Sequence, residues 1–182
     1  MKFGDIFKGI QNREEHDAAE GDEYITPLPL AKSLIDLIEL QPGDIVVDPA
    51  KGPGAFYKQY PDYVEAKWCE ISQGSDFLTS TGEADWFITN PPFSNITRWL
   101  EHSALMARKG FAYILPLHAL SHRRIKLMAD FGFYISKIAF FDNPKEWQIG
   151  FSMAFVIWTL EVDSTDILLM NKPTTVQTRL TD

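Results

Sequence analysis

The sequence has a single cysteine, Cys69, and therefore cannot form a disulfide within the chain. This excludes the small secreted proteins that depend on disulfides for stability. Cys69 lies in an apolar run, which favours a buried small hydrophobe over a nucleophile. No apolar run approaches the ~20 residues of a membrane-spanning helix, and the first residues lack the apolar stretch of a signal peptide. We therefore expect a cytoplasmic protein that does not associate with a membrane.

An excess of positive charge is also missing. There are 17 basic and 25 acidic residues, giving a net charge of −8. This balance counts against a protein that holds nucleic acid by bulk electrostatics, although it leaves room for a local basic face. The four histidines lack the spacing of metal ligands, so we predict no metal site.

Apolar residues make up 45% of the 182 residues, enough for the core of one domain. We predict a flexible N-terminal arm at 1–21, a folded domain at 22–163 and an irregular tail at 164–182. Hydrophobic spacing predicts helices at 28–40, 55–60, 95–107 and 123–131, and strands at 44–48, 64–70, 85–89, 110–116, 134–141 and 152–160. This alternation indicates an α/β fold with a mostly parallel sheet covered on both faces, closed by an antiparallel final pair of strands.

A glycine-rich loop follows the first predicted strand at the position where open α/β sheets bind ligands. Asp48 ends the strand, and Gly52 and Gly54 allow a sharp turn and a close approach of ligand to backbone. An ordinary strand-to-helix turn would have the same composition. A dinucleotide-binding loop is the other alternative, but the usual three-glycine pattern is incomplete.

Two acidic residues extend this candidate site. Glu70 ends the next predicted strand, where an acid in nucleotide-binding folds accepts hydrogen bonds from ribose hydroxyls. Asp76 could accept from an adenine amino group, with Ile71 or Phe77 flanking the ring. Alternatively, Asp76 caps a turn.

The quartet Asn90-Pro91-Pro92-Phe93 follows the predicted strand at 85–89. The prolines stiffen the loop and remove two N–H donors, so the Asn90 side chain and the Pro91 carbonyl can accept both hydrogens of one amino group. Holding both N–H bonds favours a tetrahedral nitrogen whose lone pair points at an electrophile. Phe93 offers a ring face for stacking on a base. A rigid turn with an asparagine cap is the alternative.

These motifs, in this order, resemble those of the N6-adenine DNA methyltransferases. The resemblance also includes Thr26-Pro27 upstream and the strand at 110–116 downstream, and it covers residues 22–160. It implies a Rossmann-like methyltransferase fold with a seven-stranded sheet, S-adenosylmethionine as cofactor and methylation of adenine N6 in DNA. It assigns the quartet Asn90, Pro91, Pro92 and Phe93 to catalysis. The predicted cofactor contacts are Tyr24, Thr26, Pro27, Asp48, Pro49, Gly52, Gly54, Phe56, Glu70, Ile71, Asp76, Phe77 and Asn90.

The sequence departs from the family in two respects. Lys51 and Pro53 stand in the loop where small residues are commoner, and no segment is long enough to form a target-recognition domain. We therefore expect target recognition to come from a protein partner, the N-terminal arm or loops. Basic residues Arg123, Arg124 and Lys126 could contact phosphates or simply begin a solvated helix, and Trp147 could stack on a base or cover the core.

Three functions remain open at this stage. The first is methylation of adenine N6 in DNA, which the motif order favours. The second is methylation of RNA adenine or of a protein glutamine, because the quartet suits any planar amino or amide nitrogen. The third is a non-catalytic subunit that binds the cofactor.

Overall fold

The computed structural model describes residues 24–170 and the backbone of residues 177–179, so the predicted arm at 1–21 lies outside the described residues. The described residues form three helices and eight strands. The helices are α1 (Leu28–Ile35), α2 (Ile96–Met106) and α3 (His122–Asp130). The strands are β1 (Ile45–Asp48), β2 (Glu65–Trp68), β3 (Ala84–Thr89), β4 (Ala107–Pro116), β5 (Tyr134–Phe141), β6 (Met153–Thr159), β7 (Asp166–Met170) and β8 (Gln177–Arg179).

Helix α1 is shorter than the apolar spacing predicted. It begins after Pro27 and ends at Ile35 rather than at residue 40. Beyond Asp36, the amides of Leu37 and Ile38 donate to carbonyls only three residues earlier, at 3.2 Å and 2.9 Å. Both side chains are still buried, so the periodicity correctly predicted their burial, although the backbone there forms tighter turns.

The helix predicted at 55–60 is reduced to a single 3₁₀ turn, Tyr57–Gln59. The amide of Tyr57 donates to the carboxylate of Asp48 at 3.1 Å instead of to a carbonyl one helical turn earlier. This tertiary hydrogen bond takes the place of a backbone hydrogen bond that a regular helix would have here. Sequence spacing alone could not show it.

The strands form one mixed sheet in the order β2-β1-β3-β4-β6-β5-β7-β8. Pairings β1/β2, β1/β3, β3/β4 and β5/β7 are parallel, and the other three are antiparallel. The predicted antiparallel pair is confirmed as β5 and β6. Two further predictions are wrong: β5 and β6 do not end the sheet, and residues 166–170 of the supposed irregular tail pair with β5. With β8 added, the described sheet has eight strands rather than seven.

Each face of the sheet has its own core. Helix α1 covers one face, packing on residues such as Val46 and Ile88. Helices α2 and α3 cover the other, where the fully buried rings include Phe111 and Trp158. The residues of β1, β3 and β4 alternate between the two cores, and this arrangement explains their nearly continuous apolar sequences.

The strand order reverses between β1 and β3, since the chain first adds β2 on one side of β1 and then returns to add β3 on the other. Because β1, β2 and β3 are parallel, their carboxyl ends lie at the same edge. The predicted motifs around Asp48, Glu70 and Asn90 all follow these three strand ends. The fold thus brings together segments that are about twenty residues apart in sequence.

Candidate active site

Asp48 is the buried centre of the glycine-rich loop. Only 1% of its surface is exposed. One carboxylate oxygen accepts the hydroxyl hydrogen of Thr89 at 2.7 Å, and the other accepts the amide of Tyr57 at 3.1 Å. Burial raises the pKa of Asp48 to about 6, against the hydrogen bonds from Thr89 and Tyr57, which lower it. Asp48 therefore joins the loop, the 3₁₀ turn and β3, while its predicted contact with a ligand remains a prediction.

The loop itself turns on two glycines with positive φ angles, 47° at Gly52 and 88° at Gly54. A β-carbon on Gly52 would meet no atom within 4 Å, so this exposed corner of the backbone is open to a ligand. Lys51, which departs from the family pattern, places its ammonium group over the ring of Trp68, 3.7 Å from the centroid. Its side chain thus packs across the end of β2 and does not fill the turn.

Glu70 connects this loop to the end of β2 through a hydrogen bond. One of its carboxylate oxygens accepts the Gly52 amide at 2.7 Å, and the other accepts the amide and the hydroxyl of Ser72 at 3.1 Å and 2.8 Å. Burial would raise the pKa of Glu70, but these hydrogen bonds outweigh it and hold the pKa below its ordinary value. A carboxylate has about four acceptor sites, so the ionised group can also accept from hydroxyls of a ligand.

Two of the predicted cofactor contacts, Phe77 and Phe56, have positions different from those expected. Phe77 is 2% exposed, and its ring packs against Phe87 and Trp99, so it belongs to the core and cannot flank an adenine ring. Phe56 is equally buried and stacks on Phe155. Asp76 accepts the Leu78 amide at 2.9 Å and so caps a turn, while its contact with a ligand stays a prediction.

By contrast, Ile71 is 73% exposed beside Glu70, where a planar ligand could cover it. Pro49 is buried directly after Asp48, and Pro27 is half-buried at the start of α1. These positions are compatible with the predicted site but do not test the contacts assigned to them.

Asn90 has an asymmetric hydrogen-bonding environment. Its amide nitrogen donates to the Tyr24 carbonyl at 2.8 Å and lies 3.3 Å from the Thr26 hydroxyl oxygen. Its amide oxygen is buried, and among the described residues no group donates to it. A carbonyl can only accept, so the Tyr24 contact fixes which end of the amide is nitrogen. The oxygen is therefore an acceptor with unused capacity inside the protein, which native structures rarely leave unexplained.

The rest of the quartet follows Asn90 directly in the chain. Pro91 is buried and Pro92 has the extended conformation that precedes the 3₁₀ turn Phe93–Asn95. The ring of Phe93 stacks on Tyr24, with centroids 5.4 Å apart and planes inclined by 19°. Tyr24 therefore covers one face of the ring that we predicted to stack on a base.

The residues predicted to contact nucleic acid have different surroundings in the structure. Trp147 is 4% exposed and donates its indole N–H to the Ile25 carbonyl at 2.7 Å, so it covers the core and is not available for stacking on a base. Arg124 is bound to Thr97 at 3.0 Å and to the Ala119 carbonyl at 3.2 Å. Lys126 is paired with Asp130 in the same helix. Arg123 is exposed at the start of α3 and is the best placed of the three to meet a phosphate.

Thr89 is a site residue that the sequence interpretation missed. It is 1% exposed, directly precedes Asn90 and donates its hydroxyl hydrogen to Asp48. Its position immediately before the quartet was the sequence feature that could have identified it as a site residue. However, a threonine in a buried strand is common enough that only the tertiary contact reveals its role.

Among the described residues, no helix is both long and apolar enough to cross a bilayer. The fold is that of the S-adenosylmethionine-dependent methyltransferases. A putative class I S-adenosylmethionine-dependent methyltransferase from Listeria monocytogenes superposes with a TM-score of 0.67 at 13% identity, covering 93% of this chain and 71% of that one. The crystal structure of the type I restriction enzyme EcoKI M protein gives a TM-score of 0.62 at 17% identity, covering 83% of this chain and 48% of that one.

Sequence comparison supports the resemblance to one family of these enzymes. Residues 2–77 match the model of the N-6 DNA Methylase family. The methylase subunit of the type I restriction enzyme StySPI from Salmonella potsdam is 34% identical over 86 residues, which are 47% of this chain and 15% of that subunit. The resemblance to the N6-adenine DNA methyltransferases is thereby confirmed, although the chain aligns with only a small part of this relative's length.

Proposed function

We propose that this protein is an S-adenosylmethionine-dependent N-methyltransferase whose acceptor is adenine N6 in DNA. The observation that carries the proposal is the buried amide oxygen of Asn90, which has no donor in the part of the chain that the structure describes and is held in place through the amide nitrogen. An exocyclic amino group supplies the N–H donor that this oxygen lacks. The family match and the names of the relatives support the same chemistry.

The residues at the strand ends suit the proposed cofactor. Glu70 offers an ionised acceptor for ribose hydroxyls, Ile71 an exposed apolar face for adenine, and Gly52 an uncovered stretch of backbone. The acidic character of Asp48, Glu70 and Asp76 favours a ligand with positive charge. When bound, S-adenosylmethionine supplies a methyl group on a positively charged sulfur.

The protein's own part in the reaction is to orient and desolvate the amino group. The Asn90 oxygen and the Pro91 carbonyl accept its two hydrogens, so that the nitrogen lone pair is directed toward the methyl carbon. With the cofactor bound, the nitrogen–carbon bond would form as the carbon–sulfur bond broke, and the product nitrogen would then release a proton to solvent. No general base is required, because the methylated amine is cationic until that proton leaves.

Access to Asn90 requires a local rearrangement. The amide oxygen is covered by protein, and Tyr24 lies on one face of Phe93. A base must therefore displace the Tyr24 ring or use the opposite face of Phe93. An extrahelical adenine fits this requirement, because a base within a duplex cannot reach a covered group.

Incubation with methyl-labelled cofactor and DNA of mixed sequence, followed by digestion to nucleosides, tests the proposal. We expect label in N6-methyladenine with the wild-type protein and about a hundredfold less with Asn90→Ala. Label in another nucleoside would contradict the assignment to adenine N6. Transfer to RNA, or label that survives nuclease digestion, would support the second candidate, an RNA adenine or a protein glutamine as acceptor.

A non-catalytic subunit is the third candidate, and calorimetric titration with the cofactor separates it from the enzyme. Binding in the micromolar range together with methyl transfer supports the proposal. Binding without transfer to any acceptor would favour a non-catalytic subunit. Target recognition is proposed to come from a protein partner, because the relatives' names describe subunits of larger enzymes.

A further inference from the structure

Trp147 is attached to the segment that holds the Asn90 amide. It lies in the loop between β5 and β6, and its indole N–H donates to the Ile25 carbonyl at 2.7 Å, across 122 positions of sequence. The Ile25 side chain is 62% exposed and cannot anchor the segment by packing. The backbone at residues 24–27 has no regular secondary structure, so its position depends on tertiary contacts such as this one.

The same short segment supplies both acceptors for the Asn90 nitrogen, the Tyr24 carbonyl and the Thr26 hydroxyl. These two acceptors lie on either side of Ile25, the residue to which Trp147 donates. If the segment shifted, the amide could rotate and present its NH₂ group where its oxygen now lies. Two facing N–H donors repel, so a rotated Asn90 would reject an amino group instead of binding it.

Ring contacts extend this connection into the sheet. Trp147 packs against Tyr24 with centroids 6.1 Å apart, and against Phe141 at the end of β5 with centroids 6.3 Å apart. Tyr24 in turn stacks on Phe93. A continuous set of contacts therefore runs from β5 through Trp147 and the 24–26 segment to the asparagine.

We propose that Trp147 is a positioning residue that keeps the Asn90 amide oxygen directed at the acceptor nitrogen, acting through the Ile25 carbonyl. This inference rests on the proposed function of Asn90. It gives the loop between β5 and β6 a part in turnover without any contact with substrate or cofactor.

Trp147→Phe tests the inference, because it retains an aromatic ring and removes the N–H donor. We expect kcat to fall about tenfold, as for loss of one hydrogen bond, while KM for DNA and the affinity for cofactor stay within about twofold. Trp158→Phe is the matched control, since the indole N–H of Trp158 has no partner among the described residues. Its kcat should stay within about twofold of wild type at a temperature where both variants are folded.

Combination with Asn90→Ala separates positioning from general destabilisation. We expect Trp147→Phe to have no further effect on the residual turnover of Asn90→Ala, because the amide that it positions is gone. An undiminished tenfold loss in that background would overturn the inference.

A measurement without activity keeps this inference distinguishable from the proposed function. The side-chain amide of Asn90 can be assigned in a ¹⁵N–¹H spectrum by its absence from Asn90→Ala. We expect its hydrogen exchange to be slow in the wild type and in Trp158→Phe, and at least tenfold faster in Trp147→Phe. Unchanged exchange in Trp147→Phe would overturn the inference even if the protein proves to be a methyltransferase. Accelerated exchange in a protein without methyl transfer would keep the positioning and reject the proposed function.

Discussion

Thr89 donates its hydroxyl hydrogen to Asp48 at 2.7 Å, across the point where the strand order of the sheet reverses. The two residues end neighbouring strands; Asp48 begins the glycine-rich loop, and Thr89 directly precedes the quartet. This hydrogen bond fixes the loop proposed to hold the cofactor relative to the quartet proposed to hold the target. Methyl transfer requires that alignment, since reacting atoms must approach to roughly 3–3.5 Å.

Replacement of Asn90 by alanine should separate chemistry from cofactor binding. The variant loses an acceptor that our mechanism uses only for the target amino group, so turnover should fall by about two orders of magnitude. The affinity for S-adenosylmethionine, measured by calorimetry, should change by less than about threefold. A parallel loss of cofactor affinity would place Asn90 in the cofactor site instead.

Replacement of Glu70 by glutamine should have the opposite effect. The variant keeps the shape of the side chain but loses the charge that accepts from Gly52 and from ribose hydroxyls. We expect cofactor affinity to fall at least tenfold, because charge-assisted hydrogen bonds contribute about 1.5–3 kcal/mol each. Glu65→Gln on the exposed strand β2 is the control and should leave binding unchanged. Equal binding by the Glu70 and Glu65 variants would exclude the predicted ribose contact.

Asp48 should make stability depend on pH. Its pKa of about 6 lies above its ordinary value of 3.8, so the folded state binds the proton more tightly than the unfolded chain. The contribution of Asp48 to the free energy of unfolding therefore decreases as pH rises from about 4 to about 6. Between pH 4.5 and 7, the stability of wild type relative to Asp48→Asn should fall by about 2 kcal/mol, measured by urea unfolding. A pH-independent difference would mean that Asp48 titrates normally.

Gly110→Ala should destabilise the fold without altering the site. A β-carbon at Gly110 would lie against the Trp158 carbonyl oxygen and 2.5 Å from a ring carbon of Trp86. Relief of that overlap requires movement of β6 or of the Trp86 ring, so we expect a loss of about 2–3 kcal/mol in the free energy of unfolding. Gly82→Ala, where the added carbon meets nothing within 4 Å, should change stability by less than about 0.5 kcal/mol.

Arg123→Ala tests the proposed phosphate contact. Arg123 is exposed at the start of α3, whereas Lys126 is paired with Asp130. We expect Arg123→Ala to weaken DNA binding and to reduce the slope of log affinity against log salt by about one. Lys126→Ala should have a smaller effect, because its charge is partly neutralised by its partner. Identical salt slopes in wild type and Arg123→Ala would remove this arginine from the DNA interface.

The alternation of helices and strands could be predicted from sequence because buried strands and amphipathic helices have distinct hydrophobic periods. The motif order similarly predicted which loops meet at the carboxyl edge, since parallel strands end together. Side-chain roles were predicted less well. Phe56 and Phe77 follow the cofactor motifs closely and Trp147 lies in the polar loop before β6, yet all three are buried in the core. The sequence shows that a residue is aromatic, but it does not show whether the ring contacts a ligand or packs against a neighbouring strand.

The sequence by itself determined the α/β class and the family resemblance, because both depend on local pattern and on short motifs of fixed spacing. Only the tertiary structure decided that residues 166–170 extend the sheet, that Asp48 binds Thr89 and that Trp147 supports the segment at Asn90. Each of these features joins residues at least 29 positions apart. Such contacts depend on how the elements pack, and no local pattern records that arrangement.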